Sequence, residues 1–393
     1  MQTSLFNYDL PEALIAQTPL TERDASRLLV ANPTHQTIAD TLFADLPNIL
    51  NSTYCAKGRP PLIIVNRSRV FPARIRITRS SGGRGEVFLL EKKSSQEPVS
   101  CLIRPQKKLR VGEILYADKN ETSPTPLFKV ECLNPPRVVP ITHNTNTLIE
   151  NFGEMPLPPY IQRDPQKTGQ KFSSLDKLRY QTLYANEEGS VAAATAGLHF
   201  TDKIMNECRA LGCEFAHVVL HVGLGTFQPV QATTISDHVM HHEMCLVPAE
   251  TAQKISLWTA KGWPIIFVGT TSLRTVESFV RHALASHKVP VSELRAFTLK
   301  LAQENALANI LNAEANQWFS TSLFLHPDDL EHSKTPTLGD AILTNFHQPQ
   351  STLTMLVASI LSYPFWKKVY AHAVSQQYRF LSYGDSSLLF FKK

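Results

Sequence analysis

No two of the six cysteines, Cys55, Cys101, Cys132, Cys208, Cys213 and Cys245, form a C-x-x-C pair, so neither a zinc knuckle nor a disulfide framework is indicated. A reducing compartment is the simpler reading. Long apolar runs are missing as well. The most apolar late stretch, residues 353–361, falls far short of the ~20 residues that span a bilayer, so no membrane segment is expected. No basic residue precedes Asp9 and Pro11, which removes the pattern of a signal peptide and leads to the expectation of a cytoplasmic protein. Charged residues make up 19% and apolar residues 43% of the chain, a balance that excludes a disordered, collagen-like or long coiled-coil protein. Its 393 residues exceed the ~250–300 that one core organises, so two domains are expected. The formal charge of +5 matters only if the basic residues gather on one surface.

From Leu62 to Pro140 short apolar runs are broken by turn residues, at 62–65, 70–78, 86–90, 99–103, 111–116, 127–133 and 137–141. That rhythm reads as a small antiparallel barrel or sandwich that needs no helix. A proline-dense passage, Met155-Pro156-Leu157-Pro158-Pro159-Tyr160, then fixes an extended crossover. Beyond it strand, polar loop and helix alternate. Thr201 can cap a helix whose Ile204, Met205, Cys208 and Leu211 share a face and which Gly212 stops. Strands are expected at 215–222, 264–268 and 341–343, a further one at 26–30, and a helix-like start at 11–17. The fold class expected is α/β: a main α/β domain built from residues 1–65 and 153–393, with a small antiparallel β-barrel domain inserted at 66–152.

Four stretches place polar groups where a strand has just ended, the place where α/β sheets collect ligands. The first, Gly189 to Thr201, runs through Ala192-Ala193-Ala194-Thr195-Ala196-Gly197 to His199. So many small residues fit either a nucleobase pocket or close helix–sheet packing. The second, His221-Val222-Gly223-Leu224-Gly225-Thr226-Phe227, opens like a dinucleotide fingerprint but lacks the third glycine, and Pro229 keeps a helix from starting promptly. A tight turn exposing Thr226, with His221 facing a strand-end cleft, is the better reading; a hydrogen-bonded core histidine is the other. The third, Gly269-Thr270-Thr271-Ser272-Leu273-Arg274, puts hydroxyls and a guanidinium at a helix start, either as an anion cradle or as an ordinary cap with Arg274 solvated. The fourth, Thr344-Asn345-Phe346-His347, offers a donor–acceptor amide for a base edge and an imidazole for proton transfer at neutral pH.

Basic residues cluster in the barrel: Arg67, Arg69, Arg74, Arg76 and Arg79, then Arg104, Lys107, Lys108 and Arg110. Strand alternation puts Arg74 and Arg76 on one face and Ile75 and Ile77 on the other. The charged face suits a nucleic-acid backbone or is simply solvated; sparse acids between Leu62 and Arg84 favour the first. In Asp237-His238-Val239-Met240-His241-His242-Glu243, His238 and His242 stand four apart as on a helix face, but Met240, Leu246 and Val247 favour a strand, and no metal site is expected.

Taken together these segments resemble the S-adenosylmethionine:tRNA ribosyltransferase-isomerase family of queuosine biosynthesis. The likeness runs through Phe6-Asn7-Tyr8-Asp9-Leu10-Pro11, Arg23-Asp24-Ala25-Ser26-Arg27, Pro72-Ala73-Arg74, the proline-dense crossover, Arg179-Tyr180-Gln181-Thr182 and the four loops. Ala194 stands where that family usually has proline, Arg67 where an acid is common, His242 where serine is usual, and Asp328 where glycine is expected. The resemblance implies a metal-free α/β enzyme without a resident cofactor. S-adenosylmethionine is its co-substrate and ribosyl donor, and a 7-aminomethyl-7-deazaguanine at the wobble position of tRNA is the acceptor. Epoxyqueuosine-tRNA, adenine and methionine are the implied products. Proton transfer is expected of His199, His221 and His347, and substrate contacts of Tyr180, Thr195, Thr226, Thr270, Thr271, Arg274 and Asn345. The loop from Thr270 to Arg274 would hold the methionine carboxylate, and Arg69, Arg74 and Arg76 would meet RNA. A monomer is favoured. A non-catalytic tRNA-binding protein on the same scaffold is the rival reading, ahead of a methyltransferase or a metal hydrolase.

Overall fold

The computed structural model describes residues 1–117, 125–163, 174–223, 230–290, 293–327 and 338–392. Two sheets organise them. A nine-stranded mixed sheet runs in the order Trp318–Thr321, Glu243–Leu246, Glu214–Leu220, Leu62–Asn66, Ile265–Val268, Ala341–Asn345, Ser386–Phe390, Arg27–Asn32, Thr37–Leu42. The four strands from Glu214–Leu220 to Ala341–Asn345 are mutually parallel. Such strands must be covered on both sides, and three of them, Leu62–Asn66, Ile265–Val268 and Ala341–Asn345, are buried at every residue. Alternation then splits the core in two. Leu62, Ile64, Phe267 and Ile342 face helices that include Ala249–Lys261, Gly269–Ala283 and Thr352–Leu361. Ile63, Val65, Ile266 and Leu343 face the helices Leu46–Thr53 and Asp202–Ala210.

Local chemistry explains the helix ends. Thr201 accepts from the Ile204 amide as the N-cap of Asp202–Ala210, which buries Ile204, Met205 and Cys208. Ser351 and Thr354 form a reciprocal capping box that starts Thr352–Leu361. The expected helix at 11–17 is only a short turn of 3-10 helix, Glu12–Leu14, whose neighbour Ile15 instead bridges to Phe380.

The second sheet is a barrel. Six antiparallel strands, Arg74–Arg79, Arg84–Leu89, Val99–Arg104, Pro136–Pro140, Pro126–Leu133 and Ile114–Ala117, close where the last pairs with the first. Closure removes both edges. Arg74 and Arg76 point outward while Ile75 and Ile77 fill the interior, the alternation that the strand pattern requires. The run expected at 70–78 is two elements, because Phe71-Pro72 breaks it. Ser68–Val70 pairs with Glu187–Ser190, outside the barrel. A helix absent from the sequence-based reading, Thr145–Phe152, is capped by Asn144 and buries Leu148 and Ile149 in the barrel core.

Leu148→Ala should cost about 2–5 kcal/mol, since a buried leucine leaves a cavity that collapses only partly. Faster native-state hydrogen exchange of the barrel amides is the measurement; unchanged exchange would mean that the helix is dispensable to the barrel.

Candidate active site

The carboxyl ends of three parallel strands and the small-residue run after Glu187–Ser190 bring all four expected loops to one cleft. Ala193, Ala194, Thr195 and Ala196 come from the small-residue run, Thr270 and Thr271 from the start of Gly269–Ala283, and Asn345, Phe346 and His347 from the end of Ala341–Asn345. Val222 is the contribution of the loop after Glu214–Leu220; Thr226 lies outside the described residues. Gly269 adopts φ +86°, which lets the chain pass from strand straight into helix, a conformation that β-carbons resist.

Asn345 is the hub. Only 2% of it is exposed, and its amide nitrogen faces the Leu381 carbonyl at 3.1 Å, the Asp385 carbonyl at 3.4 Å and His199 Nε2 at 3.3 Å. Two carbonyls on the nitrogen side fix the amide's orientation, which leaves Oδ1 buried without a hydrogen-bond partner among the described residues. Thr271 Oγ1 is buried and unpartnered in the same way. Because Nε2 of His199 accepts from Asn345, its Nδ1 donates to Ser26 Oγ at 2.8 Å. Burial, helped by the charges of Arg23 and Arg379, pushes the His199 imidazole down to about 3.

His347 is held from both sides. Its ring nitrogen Nε2 pairs with Thr344 Oγ1 at 3.0 Å, its backbone N–H donates to the Tyr370 hydroxyl at 3.3 Å, and the Tyr8 hydroxyl donates to its carbonyl. Burial pushes this imidazole to about 3 as well, so it is not the neutral-pH proton carrier that a free histidine would be.

Three expected residues lie elsewhere. His221 does not reach the cleft: its ring stacks on Trp318 at 5.0 Å and lies against Gly189, where a β-carbon would come within 2.5 Å of it. Arg274 is turned away too. Its Nη1 donates to Glu243 and its Nε to the Leu323 carbonyl at 3.1 Å, so two of its three nitrogens are held in a buried ion pair, and Nη2 is buried without a hydrogen-bond partner among the described residues. Glu243 also accepts from the Gly223 amide at 3.1 Å; although burial works to raise its carboxyl, His241 and Arg274 hold it down at about 2. Tyr180 is fully buried beneath the site, edge-on to Tyr383 at 5.8 Å. Ser26 and Glu243 were not picked out as site residues from the sequence, although both lie in stretches quoted above, because their partners are 173 and 31 residues away.

The barrel arginines are less free than their spacing implied. Arg74 pairs with Glu86 at 2.6 Å and Arg76 with Glu154 at 2.8 Å, acids that lie on a neighbouring strand and beyond the inserted segment. Arg69, Lys107 and Lys108 are exposed and have no ion pair among the described residues. His238 packs against Phe324, and His242 pairs with Ser320 Oγ at 3.1 Å. Among the described residues no three of His, Cys, Asp and Glu gather as metal ligands.

The two depressed imidazoles make stability depend on pH with a definite sign. The unfolded chain takes up their protons near pH ~6.5 and the folded chain only near 3, so stability is full above the upper value and drains as pH falls between them. In urea titrations from pH 7 to 4, His199→Gln and His347→Gln should each flatten the fall of the midpoint; parallel curves would contradict it.

The queuosine biosynthesis protein family is matched by residues 3–389. The S-adenosylmethionine:tRNA ribosyltransferase-isomerase of Xanthomonas oryzae pv. oryzae is 38% identical over 389 residues, 99% of this chain and 97% of that protein. The crystal structure of S-adenosylmethionine tRNA ribosyltransferase from Thermotoga maritima is 26% identical, covers 98% of this chain and 99% of that one, and superposes with a TM-score of 0.48. With likeness running nearly end to end over both the sheet and the barrel, this chain belongs to the queuosine biosynthesis protein family.

Proposed function

We propose that this protein transfers and isomerises the ribosyl moiety of S-adenosylmethionine onto the 7-aminomethyl-7-deazaguanine wobble base of tRNA, giving epoxyqueuosine-tRNA, adenine and methionine. The observation that carries the reading is the strand-end cleft: the small residues Ala193, Ala194, Ala196 and Gly269 lie beside a buried amide oxygen and a buried hydroxyl that have no partner among the described residues. Those two groups match the polar edge of a nucleobase. Asn345 Oδ1 can only accept, as the exocyclic amine of adenine requires, and Thr271 Oγ1 can donate or accept.

A sulfonium acidifies the ribose protons beside it, so the reaction can start from a positioned base in a water-poor cleft. Burial keeps His199 and His347 neutral, the form that a base needs, at the expense of basicity. His347 lines the cleft itself, whereas both ring nitrogens of His199 are taken up by Ser26 and Asn345, so His199 orients Asn345 and becomes a base only when that contact opens. S-adenosylmethionine acts here as a substrate consumed in each turnover.

For tRNA, the uncompensated cations Arg69, Lys107 and Lys108 are the charges that a phosphate backbone would meet first, with Arg74 and Arg76 contributing less while paired to acids. No helix among the described residues is long and apolar enough to cross a membrane.

Incubation with S-adenosylmethionine and tRNA bearing the aminomethyl-deazaguanine should release adenine; formation of S-adenosylhomocysteine would identify a methyltransferase instead. Thr271→Val should raise KM for S-adenosylmethionine about tenfold at unchanged thermal stability, the loss of one buried hydrogen bond of ~1–1.5 kcal/mol. In salt titrations of tRNA binding, Arg69→Ala should lower the slope of log K against log salt by roughly one unit, and Arg74→Ala by less. Equal effects would return the paired arginines to the RNA surface.

A further inference from the structure

Between the outer wall of the barrel and the proline-dense crossover lies a groove of about 540 Å³. Strand alternation sends Val87, Leu89, Cys101 and Ile103 into the barrel, so Phe88 and Leu102, which pair across neighbouring strands, face outward into the groove. Both are half-buried. Apolar side chains side by side on the outside of a closed barrel mark a surface that meets something. The opposite wall is Pro156, Leu157, Pro158 and Pro159, stiff and extended because each proline fixes its own φ. An aromatic ring thus faces a rigid apolar wall.

One carboxylate serves two guanidiniums on this wall. Glu86 lies 2.6 Å from Arg74 Nη2 and 3.8 Å from Arg104 Nη1, and the Arg104 side chain is 74% exposed. Arg163, at the other side of the groove, is neutralised by Asp176 at 2.8 Å. Among the described residues the groove therefore keeps one positive charge in excess, at Arg104, and that charge continues into the exposed Lys107 and Lys108 of the short helix Gln106–Lys108. Groove and cleft are two sides of one extended segment. Tyr160 lines the cleft, whereas Pro159 and Ile161 line the groove. The small-residue run joins them as well: Val191 lines the groove, and Ala193, at most ~7 Å further along the chain, lines the cleft.

We infer that the groove holds one unstacked nucleotide of the RNA acceptor, the immediate neighbour of the base that enters the cleft. Its base lies between Phe88 and the proline wall, and its phosphate lies toward Arg104. Resting on the function proposed above, groove and cleft take successive nucleotides of the anticodon loop. Single-stranded RNA is bound in this manner, with splayed bases against aromatic faces and cations along the backbone. Phe88 is then a contact that selects the RNA and has no part in the chemistry.

The test uses an RNA anticodon stem–loop bearing the aminomethyl-deazaguanine, and two further loops in which one or the other neighbour of that base is made abasic. One of the abasic loops should bind the unaltered protein at least fivefold more weakly than the intact loop. Phe88→Leu, which keeps the apolar contact with the barrel but has no ring, should bind the intact loop that much more weakly and lose nothing further on the abasic one. Its KM for S-adenosylmethionine should not change, and Phe88→Tyr should behave as the unaltered protein. Equal binding of all three loops by the unaltered protein overturns the proposal, whether or not the variants fold. Additive losses for Phe88→Leu and the abasic loop overturn it too, since ring and base would then act apart. The two readings fail separately. Discrimination among the loops without release of adenine from S-adenosylmethionine sinks the enzymatic reading and leaves the groove; release of adenine with equal binding of the loops sinks the groove alone.

Discussion

Everything at the site depends on four parallel strands that end on the same edge of one sheet. Burial on both faces keeps Leu62–Asn66, Ile265–Val268 and Ala341–Asn345 apolar until their last one or two residues, so the polar groups Asn66, Thr344 and Asn345 appear only where those strands stop. Asn66 shows how closely this edge is knit. Its side chain donates to the Leu220 carbonyl and accepts from the amides of Leu220 and Ser68, tying the entrance of the barrel to the end of the next strand. The cleft is therefore a property of the sheet, not of any one loop.

Buried charge plays a different part from the one that residue type alone implies. Arg274 and Glu243 form a pair that is nearly inaccessible and that also holds Gly223 and the segment at Leu323. A buried pair of this kind is weak evidence for added stability, but removing one partner strands the other in a low dielectric. Its role is to lock the start of Gly269–Ala283 against two loops, which positions Thr270 and Thr271.

Much of the frame was legible in the chain itself. Continuous apolar runs marked the central strands, Thr201 and Gly212 bracketed a helix, and alternating arginine and isoleucine marked a barrel wall. What could not be read was pairing at long range. The acids that neutralise Arg74 and Arg76, the serine that orients His199 and the glutamate that captures Arg274 are set by topology rather than by spacing. Thr145–Phe152 was missed because its eight residues carry only a short apolar face, and its burial follows from docking on the barrel. His221 looked like a strand-end ligand, but the missing side chain of Gly189 opens a slot that draws the ring the other way, onto Trp318.

The place of Ser386–Phe390 has a consequence for how the chain is made. It lies between Ala341–Asn345 and Arg27–Asn32, so the hairpin formed by the first two strands joins the rest of the sheet only through the last one. During synthesis the early hairpin must wait more than 300 residues, until Ser386–Phe390 emerges, before it can dock. Loss of that strand would open a seam inside the sheet instead of fraying its border, and quality control would meet a six-stranded sheet with a detached hairpin rather than one shortened protein.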